Sequence, residues 1–99
     1  MAIKVLIRRK FKENSLGEAS RLMIKTRYNA MERKGYISSE TLSNLETPRV
    51  IVVMSMWQTP DDWAAWKNSN TRKENEILIE KLTEGTTQIE IYNLGMPRQ

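Results

Sequence analysis

The stretch Arg49-Val50-Ile51-Val52-Val53-Met54-Ser55-Met56-Trp57 is apolar at nearly every position. Successive side chains of a strand point to opposite faces, so a strand of this composition must be covered on both sides. It can only be an interior strand. The chain has 99 residues, 39% of them hydrophobic, enough for one domain. The rest of the fold has to be built around that strand.

Residues 3–11 alternate well enough to form a strand, with Ile3, Val5 and Ile7 on one face and Lys4, Leu6 and Arg8 on the other. Residues 12–15 turn the chain. From residue 16 to 33 the apolar positions Leu16, Ala19, Leu22, Met23, Ala30 and Met31 recur at helical spacing. Ser15 and Glu18 form a capping-box pair at the start, and Lys34-Gly35 suits the end. Residues 36–45 read as a polar edge strand, with Ile37, Ser39 and Thr41 opposite Tyr36, Ser38, Glu40 and Leu42.

After the central strand, Thr59-Pro60-Asp61-Asp62 starts a helix: a capping hydroxyl, a proline at the first turn, and two carboxylates at the positive end of the dipole. That helix ends near Asn68. A second covers residues 70–84, with Ile77, Leu78 and Leu82 as its apolar edge, and stops at Gly85. Residues 86–94 form a last strand, with Ile89 and Ile91 opposite Gln88, Glu90 and Tyr92. The domain thus spans residues 1–95, and residues 96–99 form a loose tail.

The order β-α-β-β-α(α)-β is the split βαβ, ferredoxin-like pattern: an α+β fold with a four-stranded antiparallel sheet, helices on one face, and strands one and three in the middle. The other sheet face then leaves half of the central strand bare, and an exposed apolar sheet face marks an interface. Sheet-to-sheet packing of a homodimer would cover it, with Lys4, Arg8, Glu40 and Glu90 available to pair across the seam.

Composition narrows the chemistry. With no cysteine and no histidine, disulfides, thiolate or imidazole metal sites, a histidine-ligated haem and a Ser-His-Asp triad are excluded. The expectation is no metal and no cofactor. The net charge of +4 is local: five of the 16 basic residues lie in residues 1–12, and the remaining 11 face 12 acidic ones. Nucleic-acid binders carry broader basic faces, so no nucleic-acid partner is expected. No apolar run approaches the ~20 residues of a membrane span, and the first residues lack the order of a secretory signal. A cytoplasmic setting is the default expectation.

All three tryptophans lie in Trp57-Gln58-Thr59-Pro60-Asp61-Asp62-Trp63-Ala64-Ala65-Trp66-Lys67-Asn68-Ser69. Each buried indole removes ~150–250 Å² from water, an upper estimate of roughly 4–6 kcal/mol. Together with Gly35-Tyr36-Ile37-Ser38-Ser39-Glu40-Thr41-Leu42, this segment resembles the antibiotic biosynthesis monooxygenase domain family, which shows a GY-x-S-x-x-x-L strand and a W-x-s-x-x-x-W-x-x-W-x-x-S segment. The resemblance runs from about residue 3 to residue 92. It implies a dimeric α+β barrel, two ferredoxin-like subunits with their sheets packed together.

Family members include haem-degrading enzymes and cofactor-independent monooxygenases acting on aromatic polyketides and quinols. The haem branch carries an Asn on the first strand, a Trp aligned with Trp66, and a haem-ligating His ten residues later. Here that last position is Glu76, and the first-strand position falls among Ile7, Arg8 and Arg9. The resemblance therefore implies the cofactor-free branch, with a small aromatic molecule as partner. There an Asn one turn before the Trp holds substrate; this chain has Asp62. The candidate catalytic residues are Asp62, to orient substrate or accept a proton, and Trp66, to line the pocket. Arg8, Tyr36, Trp57 and Tyr92 are candidate substrate contacts, with Arg8 offsetting anionic charge. The plainer alternatives stay open: indoles that only pack a helix onto the sheet, Asp62 as a helix-dipole residue, and Arg8, Arg9 and Glu76 as solvated or interface charges.

Overall fold

In the computed structural model, which describes residues 1–98, one antiparallel sheet runs in the order β2 (Tyr36–Ser43), β3 (Val50–Trp57), β1 (Ile3–Phe11), β4 (Thr83–Asn93). The two strands richest in apolar residues are the central pair, as the doubly apolar sequence of β3 demands. Three helices complete the α+β fold: α1 (Leu16–Met31), α2 (Pro60–Lys67) and α3 (Asn70–Lys81). None is long and apolar enough to cross a membrane. Residues 96–98 hold no helix or strand, and Gln99 of the expected tail lies outside the described residues.

Register fixes which side chains meet. Ile3, Val5, Ile7, Arg9 and Phe11 of β1 stand opposite Trp57, Ser55, Val53, Ile51 and the end of β3, and this face carries the helices. Lys4, Leu6 and Arg8 stand opposite Met56, Met54 and Val52 on the open face. Glu40 and Leu42 of β2 and Glu90 and Tyr92 of β4 share that open face by pairing. Its apolar residues are half-buried or exposed in a single chain.

Beneath the helices the core has two parts. Ile3, Val5, Ile7, Ala30, Trp57, Trp63 and Trp66 form one cluster; Phe11, Ala19 and Ile79 form the other, with Leu22, Met23, Ile51 and Leu82 packed against it. Arg9 sits on β1 between them.

Several local expectations are corrected. Ser15 makes no capping bond; its hydroxyl donates to the Lys12 carbonyl oxygen (2.5 Å), which closes the preceding turn. α1 ends at Met31, so Gly35 belongs to the following turn, and Met31 is exposed. A register shift between Tyr36 and Ser38 sets Tyr36 on the same face as Ser39 and Thr41, where simple alternation would oppose them.

α3 stops at Lys81, and Gly85 lies inside β4 at φ 76°. There Gly85, Thr86 and Thr87 stand opposite Arg9 alone, between the pairs Arg8–Gln88 and Lys10–Glu84. A positive φ is what a glycine supplies in such a bulge. The buried face of α3 is Arg72, Asn75 and Ile79, whereas Ile77 is 61% exposed. Leu82 does pack against the core, but Ile77 and Leu78 are exposed, because a mostly polar stripe, spaced three and four residues apart, is what the helix turns inward. Accordingly, Ile79→Ala should cost about 2–5 kcal/mol and Ile77→Ala less than about 0.5 kcal/mol in urea unfolding. Equal costs would contradict this helix orientation.

Candidate functional site

Between α1 and the sheet runs a cleft with two chambers. The inner one, about 60 Å³, is floored by β1, β2 and β3 and walled by Trp57, Trp63 and Trp66. The outer one, about 310 Å³, is lined by Phe11, Ala19, Ile24 and Ile51 among others. Met23, Arg27 and Thr41 line both, so the chambers meet there.

The aromatic wall follows from local sequence. Thr59 caps α2 by accepting from the Asp62 N–H (3.1 Å), with Pro60 in the first turn. That start aims Trp63 and Trp66, one turn apart, at the sheet, where both are buried. Trp57 is fully buried at the end of β3; its Nε1 donates to the Ser55 hydroxyl (3.0 Å). Tyr36 meets Trp57 edge-on at 5.5 Å, and its hydroxyl is 2.7 Å from that of Ser39. Arg72 lies 5.4 Å from the Trp63 ring centroid and Arg33 lies 5.3 Å from that of Trp66.

The cleft's ionisable groups are unbalanced. Arg9, Arg27, Arg72 and Glu76 all line the inner chamber, three cations to one carboxylate. Arg9 is only 3% exposed. One of its guanidinium nitrogens, Nη2, donates to Glu76 Oε1, and another, Nη1, lies 3.7 Å from the Met23 sulfur. Its Nε is buried without a hydrogen-bond partner. Arg72 Nη2 lies 3.5 Å from the same Glu76 oxygen. Burial pulls the Arg72 guanidinium below its ordinary value; Glu76 pulls it back up, and nearby Arg9 adds to the lowering. On the far side, Asn75 donates to Asn29 (2.9 Å) and ties α3 to α1.

Of the residues singled out from sequence, Trp57, Trp66 and Tyr36 line the inner chamber, and Asp62, Arg8 and Tyr92 do not. The Asp62 carboxylate lies against Gly35, where an added Cβ would collide with it. Arg8 and Tyr92 are exposed on the open face of the sheet. The Tyr92 hydroxyl donates to Glu90 (2.7 Å); that bond above all raises its phenol above the ordinary value. Arg9 and Glu76 were read as solvated or interface charges, yet both face the cleft. Carrying the β1 alternation one step past Ile7 would have placed Arg9 inside, beside Phe11.

Residues 3–74 match the model of a family described as antibiotic biosynthesis monooxygenase. No curated protein matches the chain in sequence. Among solved structures, a conserved protein from Methanosarcina mazei Go1 superposes with a TM-score of 0.88 at 22% identity, covering 93% of this chain and 91% of its own. SnoaB, a cofactor-independent oxygenase from Streptomyces nogalater, superposes with a TM-score of 0.86 at 10% identity, covering 97% and 95%. At such identities the likeness is one of fold.

Two outcomes follow from this geometry. Gly35→Ala should destabilise the fold by about 1–3 kcal/mol, because φ is 84° and the new methyl meets Asp62; adding Asp62→Ala should return part of that loss in chemical denaturation. Additive costs would contradict the contact. Glu90→Gln should bring the Tyr92 pKa back down toward its ordinary value, so that the phenolate absorbance appears at lower pH; an unchanged titration would contradict the assigned bond.

Proposed function

This chain belongs to the antibiotic biosynthesis monooxygenase family, and from that premise we propose that it is a cofactor-independent monooxygenase acting on a small aromatic or quinol-like substrate with O2. The observation that carries the reading is the buried, partly unpartnered Arg9 guanidinium beside a tryptophan-walled chamber. An electron-rich phenol or anthrone is inert to O2 while neutral and strongly reducing once ionised. A site that stabilises its anion and excludes water supplies most of what the reaction needs. For a ring methylene, CH2 and O2 give C=O and H2O, so the substrate provides every electron.

In this scheme Arg9 and Arg72 face the developing oxyanion, Glu76 accepts the proton, and Trp66 and Tyr36 hold the ring. These are the tasks first given to Arg8 and Asp62, moved to residues that line the cleft. A non-catalytic dimeric small-molecule-binding or interaction module on the same fold is the second reading. The inner chamber alone, about 60 Å³, is well short of the ~300 Å³ usual for ligand sites, which favours the interaction form of that module over a small-molecule site confined to this chamber. The substrate must therefore also use the outer chamber.

The same proposal pairs two chains through the open sheet face, where Val52, Met54 and Met56 are half-buried between basic and acidic flanks. It keeps the expected cytoplasmic setting. Oxygen uptake with naphthoquinols and anthrones, without added flavin or metal, tests the activity. Uptake that falls roughly tenfold in Trp66→Phe would support the site; no uptake with any substrate would favour the binding module. Light scattering should give twice the 11.6 kDa chain mass, and Met54→Glu should halve it. A wild-type mass of one chain would sink the pairing.

A further inference from the structure

Arg9 is an unusual residue to find unsatisfied. A guanidinium carries five N–H donors and is weakly hydrated, yet burying any of them without an acceptor is costly. Here Glu76 and Met23 occupy the two terminal nitrogens, while Nε is enclosed and bare. β4 does not supply the missing acceptor; it passes Arg9 in a bulge, three residues opposite one. The cations outnumber the carboxylate in the lining by three to one, so Glu76 alone cannot neutralise the cleft. Indole faces border the same space.

From these observations we infer that the cleft takes a planar aromatic acid in its ionised form, with the acid oxygen on Arg9 Nε and the ring against the tryptophan wall. This rests on the cleft being the ligand site, as in the reading above, and deepens it by naming the charge of the ligand. A neutral quinol gives Nε only a weak acceptor and leaves the cationic excess in place. A carboxylate satisfies both at once through a charge-assisted bond. Arg27, exposed at the meeting of the two chambers, lies on the path of an incoming anion. Glu76 competes with the ligand for Arg9 and Arg72 and so tunes affinity downward.

The test is calorimetric titration of the full chain with 2-naphthoate and with its neutral isostere 2-naphthamide, under argon so that no turnover intervenes. Naphthoate should bind roughly tenfold or more tightly than naphthamide. Arg9→Gln should abolish that preference. Because losing Arg9 leaves the half-buried Glu76 without its main partner, a misfolded Arg9→Gln would leave Glu76→Gln to decide. That variant keeps a hydrogen bond to Arg9 and removes the competing charge, so it should bind naphthoate more tightly and leave naphthamide unchanged. A merely structural carboxylate would weaken both ligands together. Equal binding of the two ligands by the wild type, or equal weakening of both by Glu76→Gln, overturns the inference. Quinol-driven oxygen uptake by a protein that shows no anion preference would overturn it and spare the monooxygenase reading. Anion preference without any uptake would do the reverse.

Discussion

The ion pair of Arg9 with Glu76 joins the later part of the central strand β1 to α3, and the surrounding structure is arranged to accommodate it. Apolar packing alone would have put a leucine or valine at that point, between Ile7 and Phe11. The guanidinium instead splits the core into a tryptophan cluster and a Phe11–Ile79 cluster. Replacing such a pair by well-packed apolar residues is often neutral or stabilising, whereas losing one partner costs about 3–5 kcal/mol. Stability is therefore a poor explanation for its presence, and the open chamber above it is a better one.

Neighbouring features adapt to this polar seam. Arg72 shares the Glu76 carboxylate while its guanidinium rests near Trp63. Asn75 reaches Asn29, so α3 meets α1 through an amide pair. Met23 contacts Arg9 through sulfur, and its flexible thioether stands where the two chambers join. Each contact holds the helices around a space they leave partly open.

The fold was legible because its signals were local and redundant. The two-faced apolarity of β3, the Thr59-Pro60-Asp61-Asp62 start and the strand–helix order each pointed to the same α+β arrangement, and the indole segment added the family likeness. The register details were less legible. The bulge at Ile37 moved Tyr36 to the helix face, and the bulge at Gly85 let β4 begin within what looked like the end of a helix. The candidate site suffered most. Asp62 sits one turn before Trp66 in sequence, but its carboxylate is turned to Gly35. Arg9 and Glu76 lie 67 positions apart, and nothing in either neighbourhood signals the other. Charged residues are read by default as solvated, so a buried pair stays hidden until register and helix rotation are both fixed.

The most direct measurement is the nuclear magnetic resonance signal of the Arg9 Nε–H, identified by its loss in Arg9→Lys. A buried donor at the base of a ligand cleft should exchange slowly with solvent, and its resonance should move downfield in proportion to occupancy as an aromatic carboxylate is added. A signal that exchanges as fast as those of surface arginines, or that stays still while the ligand binds, would contradict the placement of Arg9 at the heart of the site.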